Sequence, residues 1–170
     1  MKTLQDFLND LGARESGGRY NIVNCYGYAG KYQMGEAALI DAGYYKKGGK
    51  GAVTIYNNDW KGVFTGKDGV NSLSDFLNSP QAQENAQIIF MKRQWRYLKA
   101  VGADKYVGKI IKGYTITPSG LLAAAHLKGA GSVSKYLKSN GSVVEKDAFG
   151  TSAESYMKKF AGYDVKDLIS

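Results

Sequence analysis

Leu4, Phe7, Leu8 and Leu11 recur at helical spacing, so residues 3–14 read as an amphipathic helix that a glycine pair stops almost at once. At 100° per residue, position 15 falls about 20° from Leu4 around that helix. The stripe that should face a core therefore ends in a carboxylate, Glu15, with Ser16, Gly17 and Gly18 directly after it. A glutamate on an apolar face at the mouth of a helix is placed where desolvation favours its protonated form, the form a general acid needs. The alternative is an ordinary frayed helix end, with Glu15 turned into water. The helix alone does not choose between them.

The next segment does. Tyr20 and Asn24 are followed by Tyr26-Gly27-Tyr28-Ala29-Gly30-Lys31-Tyr32-Gln33-Met34-Gly35. With the preceding Glu15-Ser16-Gly17-Gly18, this resembles the goose-type lysozyme and lytic transglycosylase branch of the lysozyme superfamily. In that branch a Glu-Ser pair ends a helix, and a Gly-Leu-Met-Gln-like segment follows and lines the sugar groove. Gly30-Lys31-Tyr32-Gln33 is the counterpart, with Lys31-Tyr32 in place of the apolar pair. Farther on, Ala124-Ala125-His126-Leu127-Lys128-Gly129-Ala130-Gly131 is similar to the family's Ala-Ala-Tyr-Asn-Ala-Gly helix end, with His126 at the aromatic position and Leu127 at the Asn. The resemblance covers residues 4–43 and, in part, 117–138.

It implies a mainly α (α+β) fold, a lysozyme-like helical domain with one small β-hairpin next to the glutamate. The activity it implies is cleavage of the β-1,4 bond between N-acetylmuramic acid and N-acetylglucosamine in peptidoglycan, with Glu15 as the acid. Ser16, Asn24, Tyr28, Tyr32 and Gln33 are expected to bind substrate, with His126 lining the groove. Tyr offers a flat face and a hydroxyl, which suits sugars. No cofactor is expected, because no His, Cys, Asp or Glu cluster has metal-ligand spacing and the glycine runs lack a phosphate-loop pattern.

Glycosidic cleavage also needs something to meet the oxocarbenium-like centre. No Asp or Glu occurs between Ser16 and Gly35; the expected hairpin has Asn21 and Asn24 instead. Two routes stay open. In a lytic transglycosylase the substrate's own acetamido group assists and its 6-hydroxyl attacks, so one carboxylate suffices. In an inverting lysozyme a distant carboxylate activates water, with the carboxyls roughly 6.5–9.5 Å apart. Asp41, Asp59, Asp68 and Asp147 are the possible distant groups, Asp147 the preferred one.

A chain of 170 residues suits one domain, 1–170, and 44% hydrophobic content is ordinary for a packed protein. Apolar runs fall short of a membrane span, and no apolar leader follows Met1. Action in the periplasm or cell wall would then depend on a holin or a secretion device. The single Cys25 excludes an internal disulfide and reads as a small buried hydrophobe. The net charge of +8, from 23 Lys and Arg against 15 Asp and Glu, is drawn to polyanions such as a bacterial envelope. No nucleic-acid-binding signature accompanies it. The expected partner is peptidoglycan, with no membrane insertion and a monomeric state. The rivals are a non-catalytic wall-binding module and a basic nucleic-acid-binding protein.

Residues 19–34 read as a short hairpin and Glu36–Ala42 as a short helix closed by Gly43. Turns are expected over 46–51 and 66–69, and a strand over 53–56. Trp60 suits either a sugar ring or anchorage of its loop. Ser79-Pro80 starts a core helix from Gln81 to about Leu98, facing inward through Ala82, Ala86, Ile89, Phe90, Trp95 and Tyr97. Helices are further predicted over Asp104–Lys112, from Thr117-Pro118 to Gly129, over Ser132–Lys138, and after a capping box at Thr151. Tyr97, Tyr106 and Tyr136 are expected in the core.

Overall fold

The computed structural model describes residues 1–47 and 56–170. In chain order they form α1 (Leu4–Ser16), α2 (Glu36–Asp41), β1 (Tyr45–Lys46), β2 (Val63–Phe64), α3 (Leu73–Leu77), α4 (Pro80–Ala100), β3 (Ile110–Ile111), β4 (Tyr114–Thr115), α5 (Pro118–Lys128), α6 (Ala130–Lys138) and α7 (Ala153–Lys159). Short 3-10 turns lie at Lys67–Gly69, Ala103–Tyr106 and Lys166–Leu168. The fold is mainly helical with a small antiparallel hairpin, β3–β4. No helix among the described residues is long and apolar enough to cross a membrane. The residues pack as two compact units: a middle unit, Asn9–Phe90, and a terminal unit, Met1–Leu8 with Met91–Ser170.

The helix starts follow from local chemistry. Thr3 caps α1: its hydroxyl accepts from the Asp6 N–H (3.1 Å) and the Asp6 carboxylate accepts from the Thr3 N–H (2.9 Å). Phe7, Leu8 and Leu11 are buried as their spacing requires. Thr117 caps α5 by accepting from the Gly120 N–H, with Pro118 in the first turn. Ser79 accepts from the Ala82 N–H at the start of α4. The last helix is capped by Ser152, one residue after the expected Thr151, and Glu154 instead bonds Lys112 and Lys158. α6 begins at Ala130, two residues before the expected Ser132.

In the middle unit β1 pairs with β2, Tyr45 opposite Phe64. Residues 19–34 form single bridges, Val23 with Ala29 and Ala29 with Met34, where two strands were expected. The turn expected at 66–69 is there as a 3-10 turn, entered at Gly66 with φ +85°. The expected turns over 46–51 and the strand over 53–56 lie almost wholly outside the described residues. Cys25 is exposed, correcting its expected burial; it sits in a tight turn closed by the Gly27 N–H on the Asn24 carbonyl (3.0 Å).

In the terminal unit α5 packs against α6 and α7, and every side chain from Ser119 to Ala125 is buried. The Ser119 hydroxyl donates to the Phe160 carbonyl (2.5 Å) and accepts from the Tyr163 N–H (3.1 Å). Phe7 packs edge-on against Phe160 and Tyr163. The helix expected over Asp104–Lys112 is instead a 3-10 turn followed by β3. Lys112 (φ +51°) and Gly113 (φ +82°) make the two-residue turn that joins β3 to β4, the conformation that matches strand twist. Ile110, 70% exposed, and Ile111, 3% exposed, alternate as strand residues do. Tyr136 is buried as expected, its hydroxyl bonded to that of Tyr114 (2.7 Å), but Tyr106 is half-buried and Tyr97 exposed. Along α4 the buried apolar side chains are Ala82, Ala86, Phe90, Met91, Trp95 and Leu98, with Ile89 only half-buried.

At Gly120 α5 lies close against α7: a Cβ there would lie 2.6 Å from the Met157 carbonyl oxygen. Ala would add about 1 kcal/mol of helix propensity, but overpacking against a backbone atom costs about 1–3 kcal/mol. The neighbour cannot rotate away, so Gly120→Ala is expected to lower the melting temperature by several degrees, read by circular dichroism.

Candidate functional site

α1 ends in the middle unit with Glu15 half-buried in its last turn. Gly17 (φ +70°) and Gly18 (φ +79°) then turn the chain sharply, their N–H groups bonding the Ala13 and Gly12 carbonyls. Ser16 is buried: its hydroxyl donates to the Lys31 carbonyl (2.7 Å) and accepts from the Arg19 N–H (3.0 Å). Arg19 Nε donates to the Ser16 carbonyl (2.9 Å). Ser16 therefore ties the helix end that carries Glu15 to the Gly30–Gln33 turn; no ligand is needed to explain its hydroxyl.

That turn is closed by paired bonds between Ala29 and Met34 (3.0 and 2.9 Å). Gln33, with φ +51°, bonds the Gly30 carbonyl through its own N–H and through Nε2. Gly30 has φ +78°, and a Cβ there would lie 2.2 Å from Gln83 Oε1, so only glycine fits. Gln83, buried on α4, accepts from the Lys31 N–H (2.9 Å) and donates to the Tyr20 and Phe76 carbonyls (2.9 Å each).

Lys31 and Tyr32 turn inward. The Lys31 stem lies against Gly12, where a Cβ would sit 2.7 Å from Lys31 Cε. Its ammonium reaches Glu84 of α4 at 2.8 Å and lies 5.4 and 5.1 Å from the Tyr20 and Tyr32 ring centres. Glu84 also accepts from the Tyr20 hydroxyl (2.7 Å) and the Tyr32 hydroxyl (2.5 Å). Burial raises the Tyr32 hydroxyl pKa, and the Glu84 charge raises it further. Burial alone would push the Glu84 carboxyl up, but the bonds from Lys31, Tyr32 and Tyr20 outweigh it and hold the pKa below its ordinary value. Tyr32 is 1% exposed, so the expectation that its ring lines a sugar groove is corrected. Lys31 and Tyr32 turn inward here because a carboxylate, Glu84, accepts from both of them.

Asn24 shapes the neighbouring turn: its side-chain oxygen accepts from the Tyr26 and Tyr28 N–H groups (2.9 and 3.0 Å). Tyr28 is 40% exposed and Tyr26 48%, so both rings face solvent. Asn58 and Trp60, each with positive φ, strap this turn: Asn58 Nδ2 donates to the Tyr26 carbonyl and Trp60 Nε1 to the Gly27 carbonyl (2.8 Å). Trp60 also packs on Tyr45 and Phe64, which makes it the anchor of its loop. Beneath lies Glu36, fully buried, bonded by the Tyr45 hydroxyl (2.6 Å) and Lys47 (2.9 Å). Burial, then the bond to Glu36, pushes the Tyr45 hydroxyl up to about 12.

The other carboxylates of this unit with resolved partners are also engaged. Asp59 pairs with Lys47 and accepts from the Lys61 N–H, and the Lys47 bond holds its pKa down. Asp68 accepts from the Tyr44 hydroxyl and Asn85, with the same result. His126 and Asp147 belong to the terminal unit. His126 is half-buried in the last turn of α5. Asp147 Oδ1 accepts from the Phe149 and Thr151 N–H groups (3.0 and 2.8 Å), which makes it a turn residue.

The structure thus brings together Ser16, Tyr32 and Gln33 around the end of α1, with Asn24 and Tyr28 on the adjoining turn. Sequence reasoning missed Glu84 and Asn58, and it named Lys31 and Tyr20 only as motif residues, without their bonds to Glu84. The one signal for Glu84 was the polar run Gln83, Glu84, Gln87 inside a helix otherwise read as core. Among the described residues no group of three or more His, Cys, Asp or Glu is placed to hold a metal ion. Comparison with protein-family models, curated proteins and solved structures found no match.

Proposed function

We propose that the chain is a peptidoglycan glycosidase that cuts the β-1,4 bond between N-acetylmuramic acid and N-acetylglucosamine, with Glu15 as the general acid. The observation that carries this reading is the bond from Ser16 to Lys31. It fixes the glutamate-bearing helix end against the Gly30–Gln33 turn, two of the three pieces on which the resemblance to lysozymes and lytic transglycosylases rests. Glu15 would give its proton to the glycosidic oxygen as the bond to the sugar C1 breaks, leaving an oxocarbenium-like centre. Tyr28 and Tyr26 offer solvent-facing rings and hydroxyls to the glycan.

The engagement of Glu36, Asp59, Asp68 and Glu84 with protein donors favours the route that needs no second carboxylate. In that route the substrate's acetamido group meets the cation, and its 6-hydroxyl, giving its proton to the Glu15 carboxylate, closes a 1,6-anhydro ring. Digestion of purified sacculi followed by mass spectrometry tests both levels of the proposal: soluble muropeptides are expected, with anhydro ends one water lighter than reducing ends. Intact sacculi would overturn the activity.

Single Asp→Asn changes at Asp41, Asp59, Asp68 and Asp147 are expected to leave each rate within about tenfold of wild type, since none handles a proton on this route. Reducing ends, together with one Asp variant slowed about 10²–10⁴-fold, would establish a water-activating base instead.

A further inference from the structure

The net charge of +8 is not shared between the two units. Of the 23 Lys and Arg, 15 fall in the terminal unit and 8 in the middle unit, while the 15 Asp and Glu divide 7 and 8. The unit that carries Glu15 is neutral, and the terminal unit holds the entire excess.

Burial sharpens the imbalance. All the terminal unit's cations are exposed except Arg93 and Lys128, which are half-buried. Five of its seven acids are half-buried. Of these, Glu154 is held by Lys112 (2.7 Å) and Lys158 (3.1 Å), Glu145 by Ser132 and Lys135, and Asp147 by its own turn. The field reaching solvent is therefore set mainly by the exposed cations. On α4, Lys92, Arg96 and Lys99 stand at i, i+4 and i+7, within an arc of about 60° and over about 10 Å of helix. All three are exposed, and no acid follows Glu84 on that helix.

We propose that the terminal unit is a docking surface for a phosphate-bearing anionic polymer attached to the bacterial wall, with Lys92, Arg96 and Lys99 as one contiguous contact. The assignment of the wall as target rests on the glycosidase reading; the charge assignment does not. A neutral middle unit means that the excess charge is not matched to the glycan strand being cut, so its complement is a separate polyanion. Thirteen of the terminal unit's fifteen cations are Lys, only Arg93 and Arg96 being Arg. Lys is a hydrated point charge without the planar fork that reads a fixed geometry, which suits neutralising a flexible chain of phosphodiesters. Binding of this kind releases counterions and weakens steeply with salt.

The test is co-sedimentation of the full chain with purified sacculi at physiological salt, read as bound fraction and independent of cleavage. The triple variant Lys92→Gln, Arg96→Gln, Lys99→Gln is expected to weaken binding by about tenfold or more. The triple variant Lys46→Gln, Lys61→Gln, Lys67→Gln removes the same charge from exposed sites of the neutral unit and is expected to change binding by less than about threefold. Melts of both variants by circular dichroism establish that each is folded. Sacculi stripped of phosphate polymers by acid should bind the wild-type chain at least as weakly as intact sacculi bind the α4 variant. Equal losses from the two triple variants, or undiminished binding to stripped sacculi, would overturn the proposal. Tighter binding to duplex DNA or to anionic phospholipid vesicles than to intact sacculi at the same salt would also overturn it. Phosphate-dependent binding by a chain that releases no muropeptides would support the docking surface and overturn only the glycosidase reading.

Discussion

Glu15→Gln is expected to slow release of soluble muropeptides from sacculi by about 10²–10⁴-fold, the usual loss when a general acid is removed, while the melting curve stays within about a degree of wild type. The two halves of that expectation have separate physical causes. Gln keeps the length and shape of the side chain, and Glu15 is only half-buried, so packing at the end of α1 has little to lose. Gln cannot donate the proton that the departing sugar oxygen needs. The elements that present residue 15, the two positive-φ glycines and the Ser16 bond to Lys31, stay intact in the variant. Activity near wild type with an unchanged melt would remove Glu15 from the chemistry. A collapsed melt would show that the residue is structural.

The parts of the fold that were legible from sequence are those whose cause is local. Ser79 with Pro80 and Thr117 with Pro118 announce helix starts because the side chain that satisfies the free N–H lies within three residues of it. Residues 104–112 misled for the converse reason. Tyr106, Val107, Ile110 and Ile111 fit a helical stripe, but Lys112 and Gly113 both take positive φ, and a turn of that kind fixes a hairpin whatever precedes it. Gly113 was the visible hint; Lys at the other turn position gave none.

At the candidate site the boundary falls in the same place. The helix end and the glycine turn were readable, whereas the side chains that hold them together were not. Lys31 and Glu84 are 53 residues apart, and Gln83 stitches Lys31, Tyr20 and Phe76 across gaps no local rule spans. Tyr32 was assigned to the groove because nothing in the sequence says that a carboxylate will accept its hydroxyl from the inside. Trp60 left two readings open, and its indole N–H on Gly27 decides for the anchor.

Lys31→Met is expected to destabilise the chain by about 2–4 kcal/mol, because it leaves Glu84 charged with one donor fewer in a partly desolvated place. Breaking a buried pair from one side typically costs about 3–5 kcal/mol, and the 28% exposure of the Glu84 side chain puts this case toward the lower end. Met fills most of the volume over Gly12, so the loss is electrostatic rather than a cavity. Adding Glu84→Gln to Lys31→Met should recover part of the loss, since the amide keeps an acceptor for the Tyr20 and Tyr32 hydroxyls without an uncompensated charge. Chemical denaturation of the two single variants and the double variant measures the coupling, and strictly additive losses would refute it. Acid supplies an orthogonal reading. The folded-state pKa of Glu84 lies below its ordinary value, so its contribution is fully present above the unfolded pKa, about 4.3, and is lost as pH falls through the lowered folded one. Wild type should therefore lose stability below about pH 4.3 more steeply than Glu84→Gln does. Because the Lys31 backbone also receives the Ser16 hydroxyl, the same variants should loosen the mounting of Glu15. At temperatures where they remain folded, turnover is expected to fall with little change in KM, and Lys31→Arg, which keeps the charge facing Glu84, should fall least.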